Sequence, residues 1–247
     1  MIALAYASEL VEETVLLAER TLSAADRRAF RRERDRVYEL PDQDVREERF
    51  RTLHRHWFVR LGLGRGIEQA VAERLAQVDR VRDGRVVPAI TRREEGADLV
   101  DRVVPDTASP EPLLVIRLRP ATLLDPPAVR RLLRHELMHV ADMLDPAFGY
   151  QRALPPSEEG PSADNIVRDR YRVVWDVTID GRLAHAGDGA AVRAMRWTEF
   201  AATFPMLGDR GREVFDCWFD LARPTHAALA RFARAPEQIT ASGSGAA

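Results

Sequence analysis

The sequence predicts an α+β protein that is predominantly helical and contains one small β-sheet. Apolar residues recur with a helical period over most of the chain, whereas three short segments between residues 85 and 118 are rich in Val, Leu and Ile. Prolines and glycines separate these segments from one another. A chain of 247 residues, of which 45% are hydrophobic, is also large enough to bury a core.

The N-terminal region, 1–83, is expected to form a layer of helices. In the first helix the apolar residues keep helical spacing at Leu4, Val11, Val15 and Leu22. Ser23 is predicted to cap the next helix, because it precedes a helical pattern and is followed three residues later by Asp26. Two further helices are predicted over 44–61 and 67–80.

The second region, 84–236, is expected to begin with the sheet and then to return to helices. Strands are predicted at 85–87, 99–104 and 113–118. Helices are predicted at about 126–144, 164–185, 190–202, 210–222 and 225–234. The tail, 237–247, is small and polar and is expected to be disordered.

The composition excludes several classes of protein. The 37 basic residues are interleaved with 39 acidic ones, so a nucleic-acid partner is not expected. No stretch reaches the roughly eighteen apolar residues that span a bilayer, and no basic leader opens the chain, so a cytoplasmic location away from membranes is expected. The single cysteine, Cys217, excludes an intramolecular disulfide framework and a cysteine-rich zinc site.

One predicted helix carries a pattern that suits a metal ion. Asp125 is placed as its N-cap and Pro126 at its first position. His135 and His139 lie four residues apart, so both imidazoles project from one face and can reach the same cation. Glu136 is rotated by about one hundred degrees, which lets it approach a metal-bound water without being a ligand. These residues predict a Zn²⁺ site.

A zinc ion at this helix would give the chain a hydrolytic activity. Catalytic zinc has three protein ligands and an open position for a water, whose pKa it lowers to about 7. Glu136 would take the proton of that water and return it to the leaving amine. The predicted activity is therefore hydrolysis of peptide bonds, with a peptide or protein as substrate.

The run His135-Glu136-Leu137-Met138-His139 resembles the active-site helix of the zincin metallopeptidases, and the likeness extends over residues 111–145. It implies a zincin-like core in which the small sheet lies next to this helix. It also implies an edge strand that binds extended substrate, a place that residues 113–118 would take. The longer metzincin pattern, with a third histidine six residues after the second, is absent, although an aspartate variant with Asp145 stays open.

The resemblance also points to a third ligand on a second helix. In gluzincin peptidases a glutamate ligand is followed four residues later by an aspartate that orients a zinc-bound histidine. Asp176 and Asp180 match this spacing, which implies Asp176 as ligand and Asp180 as its support, although the reverse assignment stays open. An aspartate needs a closer helix approach than a glutamate, and Gly181 would permit it. Alternatively, these acids pair with Arg172 and Arg182 or face water.

Further candidates lie close to the two helices in sequence. Asp142, three residues after His139, is a supporting residue or an alternative ligand. A second donor to the developing oxyanion is expected among Tyr150, Tyr171, Arg182 and His185. For His185 the simpler interpretation is a helix C-cap.

A different class of function competes with the peptidase. The chain could be a non-catalytic or regulatory metal-binding interaction protein that keeps a zincin-like helix. The histidines could also be two half-buried side chains beside a salt-bridged glutamate. Glu136 favours the hydrolase, because a purely structural metal site has no chemical use for it.

Overall fold

The structure, a computed structural model, describes residues 2–76, 80–102, 111–154, 156, 160–185 and 190–238. It is mostly helical and has one mixed four-stranded sheet, which confirms the α+β class. The chain divides into two compact units, one ending at Val140 and the other beginning at Ala141. The division expected at residue 83 stays a prediction. Of the predicted tail, Glu237 and Gln238 lie in a 3₁₀ turn, and 239–247 are outside the described residues.

The first unit contains the sheet and the N-terminal helices. Its strands are β1 (Ala3–Tyr6), β2 (Asp83–Pro88), β3 (Gly96–Arg102) and β4 (Glu111–Leu118). Its helices are α1 (Ser8–Ala18), α2 (Ala24–Tyr38), α3 (Gln43–Arg60), α4 (Arg65–Leu75) and the short α5 (Pro120–Leu123). Helix α6 (Pro126–Leu144) begins in this unit and ends in the next.

The strands of the sheet follow the order β1-β2-β4-β3. β1 and β2 pair in parallel, β2 and β4 do the same, and β3 runs antiparallel to β4. The expectation that residues 113–118 form an edge strand is therefore wrong, because β4 has a partner on each side. Leu114, Ile116 and Leu118 are completely buried, as suits a central strand. Within the described chain the edge beyond β4 is formed by β3.

The first residues form a strand where a helix was expected. Ala3 to Tyr6 pair with Asp83 to Val86, so β1 joins the sheet ahead of α1. The Leu4 side chain lies over Gly84, where a Cβ would come within 2.6 Å of Leu4 Cδ2. The absence of a side chain at Gly84 thus makes room for β1. The prediction that the first helix includes Leu4 was therefore wrong. Leu4 lies between Ala3 and Ala5 in β1, and its side chain packs on the sheet.

The helices of the first unit enclose a separate apolar cluster. Its buried members are Val11, Val15, Phe30, Leu53, Trp57 and Phe58. Ser23 caps α2 as expected, since its hydroxyl accepts a hydrogen bond from Asp26 N–H at 3.1 Å. His54 is 4% exposed, and burial lowers its pKa, so the imidazole is neutral at pH 7.

The second unit is built around one central helix. This helix is α7 (Pro161–Ala184), and α8 (Ala190–Thr203), α9 (Gly211–Phe219) and α10 (His226–Arg234) pack against it. Every residue from Val173 to Gly181 is buried. At 24 residues α7 is long, yet none of the described helices is both long and apolar enough to cross a membrane. Asp176 and Asp180 lie within this buried segment of α7, so their charged carboxylates need partners.

Gly181 allows α7 to approach the end of α9 very closely. A Cβ at this position would lie 1.7 Å from the carbonyl oxygen of Phe219. The neighbour is backbone, so it cannot turn aside as a flexible side chain would. The sequence suggested that Gly181 would let the acid-bearing helix approach the histidine-bearing helix, whereas the close contact at Gly181 is with the end of α9.

We expect Gly181→Ala to lower the free energy of unfolding by about 3 kcal/mol or more, because the two helices must separate to admit the methyl group. The measurement is urea unfolding followed by circular dichroism. Gly66→Ala is the matched control, since a Cβ there would meet Val129 Cγ1 at 3.7 Å, an ordinary contact. That variant should be neutral or more stable by about 0.4–1 kcal/mol. Similar losses in both variants would contradict the role assigned to Gly181.

Candidate metal centre

The two histidines converge on one side of α6. Pro126 begins the helix and Asp125 caps it, because its Oδ1 accepts a hydrogen bond from Ala128 N–H at 3.1 Å. His135 and His139 are half-buried, and their Nε2 atoms lie 3.3 Å apart. Two imidazole nitrogens at this separation can serve as ligands of one ion.

Asp176 is the acidic residue that completes a ligand group with the histidines. One ligand atom from each of His135, His139 and Asp176 lies within 4.8 Å of the other two. Asp180 is not part of this group, which favours the assignment of Asp176 as third ligand. Asp145 is exposed, and its Oδ1 accepts a hydrogen bond from Ala147 N–H at 2.8 Å. Two imidazoles and one carboxylate fit a divalent transition metal such as zinc.

Glu136 lies against the beginning of β3. Its Oε2 accepts a hydrogen bond from Ala97 N–H at 3.4 Å. A Cβ on Gly96 would come within 2.9 Å of the same oxygen, so the glycine gives the carboxylate its space. This contact joins the beginning of β3 to the histidine-bearing helix. The zincin-like core that the resemblance implies stays a prediction. Glu136 is half-buried and stands apart from the three-residue ligand group.

An arginine from α8 reaches both acids of α7. Arg196 Nε donates to Asp180 Oδ2 at 2.5 Å, and its Nη1 lies 3.5 Å from Asp176 Oδ2. Burial would lower the pKa of Arg196, but the charges of Asp176 and Asp180 outweigh it and raise the pKa. Arg172, the partner suggested by the sequence, is more distant, at 3.7 Å from Asp176 Oδ2. Sequence reasoning missed Arg196, and the only signal for it was that buried carboxylates require a cation.

Asp142 forms its own buried group with two residues of α7. Arg182 donates to both of its oxygens, at 2.8 Å from Nη1 to Oδ1 and 2.6 Å from Nη2 to Oδ2. Trp175 Nε1 donates to Asp142 Oδ2 at 2.8 Å. Asp142 is 6% exposed, so these bonds are shielded from water. The structure therefore places Asp142 as the residue that ties the end of α6 to α7.

Three of the four residues proposed as oxyanion donors lie in two places. Tyr171 is buried, its hydroxyl lies 2.8 Å from His226 Nδ1, and burial raises its pKa. Tyr150 packs with the ring of Trp175 at 5.8 Å, and both tyrosines line a cavity of about 460 Å³. His185 is exposed at the C-cap of α7, where its N–H donates to Gly181 O. All four residues stay predictions as oxyanion donors.

Comparisons with protein-family models, with curated proteins and with solved structures found no match to this chain. The functional interpretation therefore depends on the geometry of the ligand group and on the resemblance carried by residues 135–139.

We expect Asp142→Ala to lower the free energy of unfolding by about 3–5 kcal/mol, because Arg182 would be left as a largely buried charge without its carboxylate. Urea unfolding measures the loss. Asp169→Ala is the matched control, since Asp169 is an exposed acid on α7 and its removal should change stability by less than about 0.5 kcal/mol. A small effect at Asp142, comparable with that at Asp169, would show that the ion pair does not hold α6.

Proposed function

We propose that this chain is a zinc-dependent metallopeptidase with a zincin-like core. The observation that carries the proposal is the grouping of His135, His139 and Asp176 within 4.8 Å of one another. The spacing of the histidines predicted the first two, and Asp176 is one of the two aspartates that the resemblance offered as third ligand. Glu136, next to His135 in sequence, adds a carboxylate that is not part of this group. Such a combination has a chemical use in hydrolysis that a purely structural metal site lacks.

In this proposal each residue has one task. His135, His139 and Asp176 hold the ion, which when bound would polarise a water and the substrate carbonyl. Glu136 accepts the proton of the attacking water and returns it to the leaving amine. Glu136 is next to His135 in sequence and is not part of the ligand group, so it would stay available as a base.

The hydrogen bond from Ala97 N–H to Glu136 also favours a second candidate function. Through it Glu136 could simply satisfy the backbone of β3, and the chain would be a non-catalytic metal-binding interaction protein. The two candidates share the metal site and differ in whether Glu136 handles a proton.

We expect the purified chain to bind about one zinc ion through this site. His139→Ala and Asp176→Asn should each weaken Zn²⁺ binding by more than about 100-fold, because a catalytic-type site with two protein ligands holds zinc poorly. Plasma mass spectrometry and competition with a chromogenic chelator give the metal content and the affinity. His185→Ala is the matched control and should bind like the wild type. Absence of zinc binding by the wild type would refute the proposed function.

We expect Glu136→Gln to retain zinc but to hydrolyse peptides about 10²–10⁴-fold more slowly, because glutamine cannot accept the proton. The assay is mass spectrometry of a digested peptide mixture, with wild type and variant loaded with zinc to the same content. If the wild type cleaves nothing while Glu136→Gln lowers stability, the interaction protein becomes the better account. Equal cleavage by both forms would contradict the role given to Glu136.

A further inference from the structure

A cluster of charged side chains surrounds the proposed third ligand. Asp176 and Asp180 on α7 and Glu199 on α8 supply three carboxylates, and Arg196 and Arg172 supply two guanidinium groups. The side chains of Asp176, Asp180 and Arg196 are 8%, 9% and 14% exposed. The carboxylate of Asp176 therefore lies in a place where charged groups are partly shielded from water.

Arg196 is held so that its position is fixed. Its Nε bonds to Asp180 Oδ2 at 2.5 Å, and its Nη1 bonds to Glu199 Oε2 at 2.6 Å. Because the guanidinium is planar and rigid, two bonds to different nitrogens set its orientation. The same Nη1 lies 3.5 Å from Asp176 Oδ2, longer than either of the other two contacts. Asp180 and Glu199 therefore fix the guanidinium of Arg196 by hydrogen bonds, and Asp176 forms an ion pair with it.

Arg172, the other cation of the cluster, interacts less strongly with Asp176. Arg172 is 62% exposed and lies 3.7 Å from Asp176 Oδ2, so water screens its interaction. Arg196 is mostly buried, where a directed charge acts more strongly. Of the two, Arg196 is the one placed to control the carboxylate.

We propose that Arg196 is a positioning residue for the metal site, which it orders by holding the Oδ2 side of Asp176 while Asp180 and Glu199 hold Arg196. This inference rests on the proposed metal-binding function. It gives Asp180 a role other than the one its spacing implied: it orients an arginine, and the arginine orients the ligand. The ion that the ordered site would bind is a divalent cation with two imidazoles and a carboxylate as ligands.

Charge and position act in opposite directions on the metal, which makes the proposal testable. A nearby cation repels a divalent ion, so an arginine that acted by charge alone would weaken binding, and its removal would tighten it. An arginine that holds the ligand in place strengthens binding, and its loss weakens it. Arg196→Lys keeps the charge but loses the rigid fork, so it isolates the positioning effect.

The experiment measures Zn²⁺ affinity by competition with a chromogenic chelator, and the visible absorption of the Co²⁺-loaded chain. Arg196→Lys should bind Zn²⁺ about 10–100-fold more weakly and should alter the Co²⁺ spectrum, because the geometry of Asp176 changes. Arg196→Gln should also bind more weakly. Arg193→Lys is the matched control, an arginine one turn earlier on α8 that pairs with Asp216 at 2.9 Å and Asp220 at 3.1 Å. It should leave affinity and spectrum unchanged.

The outcomes distinguish failure of the positioning role of Arg196 from failure of the proposed metal site. Unchanged affinity and spectrum in Arg196→Lys, or tighter binding in Arg196→Gln, would overturn the inference while leaving the proposed metal site intact. Equal effects in Arg193→Lys and Arg196→Lys would also overturn it, since any arginine of α8 would then suffice. No binding of Zn²⁺ or Co²⁺ by the wild type would overturn the proposed function and the inference together. Should Arg196→Gln fail to fold, Arg196→Lys alone carries the test.

Discussion

The interior of the second unit depends on a single requirement, that carboxylates buried on α7 and at the end of α6 must find cations. An isolated charge in an apolar interior costs far more than any one contact returns, so each acid dictates where an arginine goes. Asp142 takes Arg182, and Asp180 takes Arg196. Apolar residues alone would allow α7 and α8 to slide along each other, whereas these directed pairs favour one alignment.

The burial of charged carboxylates on α7 also bears on the metal binding proposed for Asp176. Gly181 lets α7 lie against the backbone of α9, and neighbouring positions along the helix are buried as well. A carboxylate buried on such a helix has few alternative rotamers, so its position changes little when a metal ion binds. Its counterpart on α6 is a pair of imidazoles one turn apart.

The sequence predicted best what short-range patterns determine. The limits predicted for α6, 126–144, agree with Pro126–Leu144 because Asp125, Pro126 and the Asp145-Pro146 pair punctuate the helix. His135 and His139 follow from spacing within one helix. Long-range partners were less accessible: β1 is four residues long and pairs with a strand some eighty residues later. Arg196 lies sixteen residues after Asp180, and no local period connects them.

The sheet order also bears on how the chain acquires its structure during synthesis. β1 emerges first, but its partner β2 follows only after four helices have been made. The cluster around Phe30 and Trp57 joins helices close in sequence and can form early, whereas pairing of β1 must await residues 83–86. β4, the central strand, follows later still. Glu136 can meet Ala97 only once β3 and α6 are both made, so this contact forms after α1, α2 and α3 have been able to pack together.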